Sequence, residues 1–394
     1  MTTFENAKAM GYMPLVEKIN EADLKEYGLY PELLMDKVFR ANDNDAESCV
    51  YAGLNNSDVD MALLGLLKDC PEKVFAGIEI AGMLIGASTK YLYLPETCKE
   101  LADEIRSAAH AHGIYPVNDI INVRETENDL RLHLVTACDL ADLVDGTYEP
   151  GVYVTDGKEP LKKVAADTSV AELVSLDGAK AVYLGYQYYT PEEASGLTAK
   201  DATTGLIRVL TEKECIVAET AKQLNKYRIA SCGRCVFCRE GLIQLEYMQK
   251  EITAARGKTN FVDLTNEIGE AMCYSTLCSV GQESAKIALS AMGKFGGEFE
   301  AHIKKNKCPA GVCGAFVHIY VDPQTCTGCG ECMDVCPADC IEGKSGFIHM
   351  IDEFECTKCG KCIEACEDEA IVMTSGKLPK LPNRLIKVGK FKKH

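Results

Sequence analysis

Cysteine spacing limits this chain's folding options more than anything else in it. Between Thr325 and Val372 the sequence carries CTGCGECMDVCP and, further on, CTKCGKCIEAC. Each run is a C-x2-C-x2-C triplet trailed by one more cysteine. An iron–sulfur cube needs four converging thiolates. A tight triplet supplies three from one loop, and in the two-cluster ferredoxin pattern the fourth is exchanged between the halves. That pattern assigns Cys326, Cys329, Cys332 and Cys366 to one [4Fe–4S] group, and Cys356, Cys359, Cys362 and Cys336 to the other. Ile341 and Ile371 fall in matching places, so the segment reads as an internal duplication. Gly328, Gly330 and Gly360 would let backbone N–H groups approach the sulfides, and Pro337 ends the first run. Structural zinc is the competing use of paired C-x2-C spacing. Eight cysteines in this duplicated register favour electron carriage.

A third constellation lies upstream: SCGRCVFCREG, with Cys232, Cys235 and Cys238, then Cys278 in STLCSVG. A triplet plus one distant cysteine again makes four thiolates for one cube, with zinc as the alternative. A helix starting after Cys238 would aim its N-terminal dipole at such an anionic group. Arg234 and Arg239 add positive charge beside it, which would raise its reduction potential.

With 394 residues the chain has room for two to four domains with real cores. Its 21 cysteines are spaced as metal ligands rather than as a disulfide framework, which implies a reducing, oxygen-poor cytoplasm. The N-terminus shows no secretory pattern. The longest apolar stretch, roughly Ile78 to Ala87, is about half a bilayer span. A net charge of −17 argues against nucleic-acid binding. The last eighteen residues reverse the trend with Lys377, Lys380, Arg384, Lys387, Lys390, Lys392 and Lys393 and no acid. They read either as a solvated disordered tail or as an arm, kept extended by Pro379 and Pro382, that docks on an acidic partner.

Along the chain, the acidic opening (Asn42, Asp43, Asn44, Asp45, Glu47) is weakly patterned. From Pro71 the pattern is α/β: a buried helix through Val74, Ile78 and Met83, a short strand at 91–94, and an amphipathic helix over Cys98–His112 stopped by Gly113. A further strand is expected around Leu132 to Val135. No phosphate-cradling glycine loop occurs in the first 148 residues. From Gly151 the texture is β, with runs at Val152–Val154 and Val182–Tyr188 and turns at Asp156-Gly157 and Asp177-Gly178. A short helix over Ser169–Ser175 lies between them. Alternation predicts Val182, Leu184, Tyr186 and Tyr188 on one strand face, and packing is the favoured role for these tyrosines and for Tyr183 and Tyr189. After Leu210 helical stripes follow: Val217, Ala221, Leu224; Leu242, Leu245, Met248, Ile252; Ala288, Ala291, Met292, Phe295. Three or four such helices make a bundle.

These residues resemble a known family. From about Tyr51 to His302 the chain is similar to the flavoprotein (51-kDa-type) subunit of respiratory complex I and of NAD-linked, electron-bifurcating hydrogenases and formate dehydrogenases. SCGRCVFCREG and STLCSVGQ carry the likeness, and a CPAGVC run (Cys308 to Cys313) before a two-cluster ferredoxin extends it. The resemblance implies a multidomain α/β and α+β chain. Its parts would be a shortened α/β flavin-domain remnant (1–148), a β-grasp, SLBB-like module (149–205), and a helical bundle binding one [4Fe–4S] (206–305). A cysteine-containing linker (306–318), a ferredoxin domain (319–375) and the basic tail (376–394) would follow. The family's FMN and NADH signatures are missing. There is no Trp and no GRGG, AGLNNSDVD (Ala52–Asp60) stands where the acidic segment falls, and no GEET lies between Leu132 and Gly151. Without special-φ glycines a phosphate loses its backbone cradle, so neither FMN nor NAD is expected.

His302, Cys308 and Cys313 form a further cluster suited to zinc, as in members with the CPAGVC run. His318 and Cys340 are its open candidates for a fourth ligand. Cys49, Cys70, Cys98, Cys138, Cys215 and Cys273 lack ligand spacing and read as small hydrophobes. No catalytic triad emerges. The sequence therefore reads as an iron–sulfur electron-transfer subunit of a cytoplasmic, multi-subunit anaerobic oxidoreductase, working with flavin-bearing, iron–sulfur or catalytic partner subunits or with ferredoxin. Its alternatives are a flavin-containing NAD(P)H dehydrogenase with a diverged site and a non-redox scaffold with structural clusters.

Overall fold

Strands β1 (Cys49–Gly53), β2 (Thr89–Leu94), β3 (Ile114–Asn118) and β4 (Leu130–His133) form a parallel sheet in the order β3-β2-β1-β4. The computed structural model describes residues 1–42, 47–120, 129–375 and 378–392. Asp43, Asn44 and Asp45 of the acidic opening and Lys377 and Lys393 of the tail lie outside the described residues. The chain divides into two compact units, one of residues 1–210, 223–243 and 268–290, the other of 211–222, 244–267 and 291–394.

In the first unit the Pro71–Ile85 helix carries only Glu72, Lys73 and Glu79 as charged residues and buries ten of its fifteen residues, as a helix largely enclosed by protein does. It packs on the Leu134–Asp145 helix so closely that a Cβ at Gly77 would come within 1.9 Å of the Ala137 carbonyl oxygen. That second helix departs from the sequence reading. The apolar run around Leu132 to Val135 is a strand only as far as His133, whose Nδ1 accepts the Val135 N–H at 3.1 Å and caps the helix that follows. The Lys99–Ala111 helix buries Leu101, Ile105 and Ala109 and ends before Gly113, at φ +64°.

The β module holds the hairpin β5 (Val152–Val154) and β6 (Lys162–Val164), and a three-stranded sheet ordered β8 (Gln187–Tyr189), β7 (Ala179–Leu184), β9 (Ile207–Thr211). The short helix is Val170–Leu173, capped by Ser169. The long strand expected over Val182–Tyr188 is instead a tight hairpin. Gly185 and Tyr186 both take positive φ, +51° and +70°, as a two-residue hairpin turn requires. Val182 therefore pairs with Tyr189 and Tyr183 with Tyr188, so the predicted single face does not exist. Tyr186 is held in this unfavourable conformation by its own burial and by its hydroxyl, which donates to Asp58 Oδ1 at 2.6 Å. Tyr183 and Tyr188 are also buried, consistent with packing.

Four helices follow: Ile216–Ala230, Val236–Thr253, Phe261–Ser275 and Ser279–Lys305. The predicted stripes are buried except at Phe295, where the last helix leaves helical geometry (φ −119°, ψ 28°) beside Gly296 and Gly297. In the second unit β10 (Val317–Val321) pairs antiparallel with β13 (Ile371–Ser375), and β11 (Ile341–Glu342) with β12 (Met350–Ile351). The described part of the tail, 378–392, packs on its own domain. Ile348 N–H donates to Ile386 O at 2.9 Å and Val388 N–H to Gly346 O at 3.1 Å, while Ile386 and Phe391 pack on the core of this domain. Among the described residues no helix is long and apolar enough to cross a membrane.

Candidate iron–sulfur and metal centres

Cys232, Cys235, Cys238 and Cys278 line one cavity of about 350 Å³ with Ser231, Thr276 and Asn56. Local structure explains the convergence. Gly233 turns the loop at φ +70°, its N–H donating to Ser231 Oγ at 3.3 Å. The following helix begins at Val236, so Cys238 lies in its first turn rather than ahead of it. Cys278 directly precedes the Ser279–Lys305 helix, which brings a second helix N-terminus to the cavity. Arg239 braces the loop by donating from Nη1 to Gly233 O at 3.0 Å. Burial pushes the Cys238 thiol up; Ser231 opposes this, while Cys278, Cys235 and Cys232 add to it. Four thiolates that repel one another in a shared cavity are a donor set that fits a cationic metal–sulfur core.

The duplicated segment builds two similar places. Cys336, Cys356, Cys359 and Cys362 line a cavity of about 290 Å³ together with Ile319, Cys340 and Ile351. This is the crossed combination: three cysteines from the second run and one from the first. In the other half, burial followed by Cys326 and Cys329, then Cys362 and Cys366, pushes the Cys332 thiol up to about 11. Gly330 and Gly360, at φ +103° and +79°, begin matching short helices. Backbone N–H groups reach the sulfurs: Lys358 donates to Cys356 Sγ at 3.4 Å and Ala370 to Cys366 Sγ at 3.3 Å. Gly328 is irreplaceable on space alone, since a Cβ there would lie 2.8 Å from Phe347 N and O.

The fourth centre corrects the sequence reading. His302, Cys308 and Cys313 do converge, and their partner is Cys215, not His318 or Cys340. The four donor atoms lie within 4.8 Å of one another and all four residues are buried. Cys215 Sγ is 3.5 Å from both His302 Nε2 and Cys313 Sγ. Glu298 sets this up twice: its carboxylate accepts the Ile216 N–H at 3.0 Å, and its carbonyl accepts from His302 Nδ1 at 2.7 Å. The second bond leaves Nε2 free to face the sulfurs. Burial works against the charged imidazole, but Cys215 and Cys308 outweigh it and raise its pKa to about 10. Three thiols and one imidazole at this spacing fit tetrahedral zinc. His318 pairs instead with Glu353, and Cys340 Sγ lies 3.5 Å from Cys336 Sγ. Cys215 stands 87 residues from His302, and no local spacing marks it. Of the other unassigned cysteines Cys138 is fully buried, while Cys49, Cys70, Cys98 and Cys273 are half-buried; Cys70 Sγ donates to Leu66 O at 3.3 Å and Cys98 Sγ lies 3.4 Å from Met61 Sδ.

A cleft of about 1250 Å³ opens at the C-terminal ends of β1, β2 and β3, lined by Asn55, Asn56, Asp58, Tyr93, Glu96, Asp119 and Lys226 among others. Its described lining has no glycine, and Lys226 is paired with Asp60 at 2.7 Å.

Residues 218–302 match the NADH-ubiquinone oxidoreductase-F iron–sulfur binding region, and residues 318–367 a 4Fe-4S dicluster domain. The HndC subunit of the NADP-reducing hydrogenase of Solidesulfovibrio fructosivorans is 36% identical over 140 residues, 36% of this chain and 29% of HndC. A subunit of the NADH-quinone oxidoreductase of Mycobacterium bovis is 26% identical over 117 residues, 30% of this chain and 26% of that protein. The matched segment thus spans less than a third of these relatives. The fold resembles a chain of NAD+-reducing [NiFe]-hydrogenase in its air-oxidized and H2-reduced states. The TM-scores are 0.67 and 0.65 at 16% and 15% identity, over 77% of this chain and 65% of that one. Over those segments the chain is similar to the 51-kDa-type subunit of NADH-linked oxidoreductases, with an iron–sulfur binding region of that kind followed by a 4Fe-4S dicluster domain.

Proposed function

We propose that this chain relays electrons within a multi-subunit cytoplasmic oxidoreductase through three [4Fe–4S] clusters and has no flavin of its own. Cys232, Cys235, Cys238 and Cys278 would hold the first. Cys326, Cys329, Cys332 and Cys366 would hold the second, and Cys336, Cys356, Cys359 and Cys362 the third. Cys215, His302, Cys308 and Cys313 would hold a structural zinc. The observation that carries the reading is the convergence of Cys278 with the Cys232–Cys238 loop on one cavity. When bound, each cluster supplies one-electron transfer; the protein contributes spacing, hydrogen bonds to sulfur and docking surfaces. The names of the relatives suggest NAD(P)-linked partner subunits. The domain scheme inferred from the resemblance is part of the same proposal.

A second reading, a flavin-bearing dehydrogenase subunit, draws support from the cleft at the strand ends, where open α/β sheets bind ligands. The lack of glycine among the described lining residues weighs against a phosphate anchor there. Anaerobic purification followed by iron, sulfide and flavin analysis separates the two. We expect about twelve irons per chain, four for each cubane, and flavin fluorescence after denaturation far below one per chain. Stoichiometric FMN would decide for the second reading.

A further inference from the structure

The duplication in the ferredoxin domain has an offset of thirty residues, and the place held by Ile319 in one half is held by His349 in the other. Cys326 maps onto Cys356, Cys336 onto Cys366 and Ile341 onto Ile371; by the same offset Ile319 maps onto His349 and Gly343 onto Met373. The strand ladders show that these are equivalent places. Ile319 sits directly opposite Met373 in the β10–β13 pair. Continuing the β11–β12 register (Ile341 opposite Ile351, Glu342 opposite Met350) places Gly343 opposite His349.

The two halves fill the place differently. Ile319 lines the cavity of Cys336, Cys356, Cys359 and Cys362. His349 is buried at 2% exposure with Nδ1 3.9 Å from Cys326 Sγ, and its Nε2 has no hydrogen-bond partner among the described residues. Room for the ring comes from Gly343, where a Cβ would fall 2.0 Å from the imidazole Cδ2. A cluster-ligating cysteine is a thiolate and can only accept, so the proton of this contact belongs to the imidazole.

We propose that His349 is a positioning residue that makes the two ferredoxin clusters inequivalent: its Nδ1–H donates to the Cys326 thiolate and sets the cluster of Cys326, Cys329, Cys332 and Cys366 at the higher reduction potential. The inference rests on the cluster assignment above. A donor to a ligand sulfur disperses the negative charge that one added electron brings, and no bond is made or broken in the transfer. Ile319 offers no donor to the other cluster. Cys340, whose counterpart at the same offset is Ala370, lies 3.5 Å from Cys336 Sγ, but S–H is the weaker donor.

The test is a redox titration of the full chain, followed by electron paramagnetic resonance, with iron counted in every sample. His349→Phe keeps the ring volume and removes the donor. It should move one ferredoxin cluster to more negative potential and leave the other, and the cluster of Cys232, Cys235, Cys238 and Cys278, where they were. Ile319→His combined with Met373→Gly, which opens opposite residue 319 the room that Gly343 gives His349, should move the other ferredoxin cluster to more positive potential. Unchanged potentials in His349→Phe at full iron content, or equal shifts of both ferredoxin clusters, would overturn the proposal. If His349→Phe fails to hold iron, the Ile319→His, Met373→Gly double variant decides, and no positive shift there at full iron content overturns it. Wild-type chain without ferredoxin-type signals would instead remove the cluster assignment itself.

Discussion

Cys215 shows how a single side chain can complete a site that its own neighbourhood does not announce. Its thiol faces His302 and Cys313 at 3.5 Å. Replacing it with alanine should therefore abolish zinc in elemental analysis while iron stays in place, whereas Cys340→Ala should leave zinc untouched. His112 gives a second residue-level test. Its ring nitrogens lie 2.8 Å from Glu79 and 3.0 Å from Glu72. Burial opposes the charged ring, but the two carboxylates prevail and raise its pKa. A raised folded-state pKa means stability that is fully present below the ordinary histidine value of about 6.5 and lost as pH rises through the folded value. His112→Gln should thus cost more in urea unfolding at mildly acidic pH than under alkaline conditions. An equal cost at both would rule out this linkage.

Among the elements, the Pro71–Ile85 and Leu134–Asp145 helices depend on the missing side chain of Gly77. Gly77→Ala would drive a methyl into the Ala137 carbonyl and force the helices apart. The expected loss is about 1–3 kcal/mol, read as a lower denaturant midpoint at unchanged slope. The Gly185-Tyr186 hairpin shows where alternation misleads. A run of Val, Leu and Tyr satisfies a strand pattern, and only the buried Asp58 and Ser57 hydroxyl partners of Tyr186 explain why a turn forms there. Tyr186→Phe leaves Asp58 without that donor and should destabilise by about 1–3 kcal/mol, measured by thermal or urea unfolding. The Leu134–Asp145 helix is hidden in the sequence for a related reason: a short apolar run has no periodicity that separates strand from buried helix.

For the whole molecule, the proposed wiring predicts that Cys235→Ala removes about a third of the iron, one cubane of three, while the ferredoxin signals persist. Loss of all iron, or of none, would contradict separate clusters. The tail belongs to the same scale. Truncation before Leu378 removes Ile386 and Phe391 from the ferredoxin core and should speed the bleaching of its visible absorbance in air.

From the sequence alone come the twelve cysteines proposed for the clusters, because thiolates three residues apart in one loop can reach one metal core and the two-cluster pattern supplies the crossed exchange. The sequence also shows no glycine loop of the phosphate-cradling pattern in the first 148 residues, because such a loop is written as glycines at fixed local offsets. Tertiary structure alone decided that Cys215 joins His302, that His349 meets Cys326, a proposed cluster ligand, and that Tyr186 turns inward to Asp58. Those pairings join segments far apart in the chain, and only packing brings them within bonding distance.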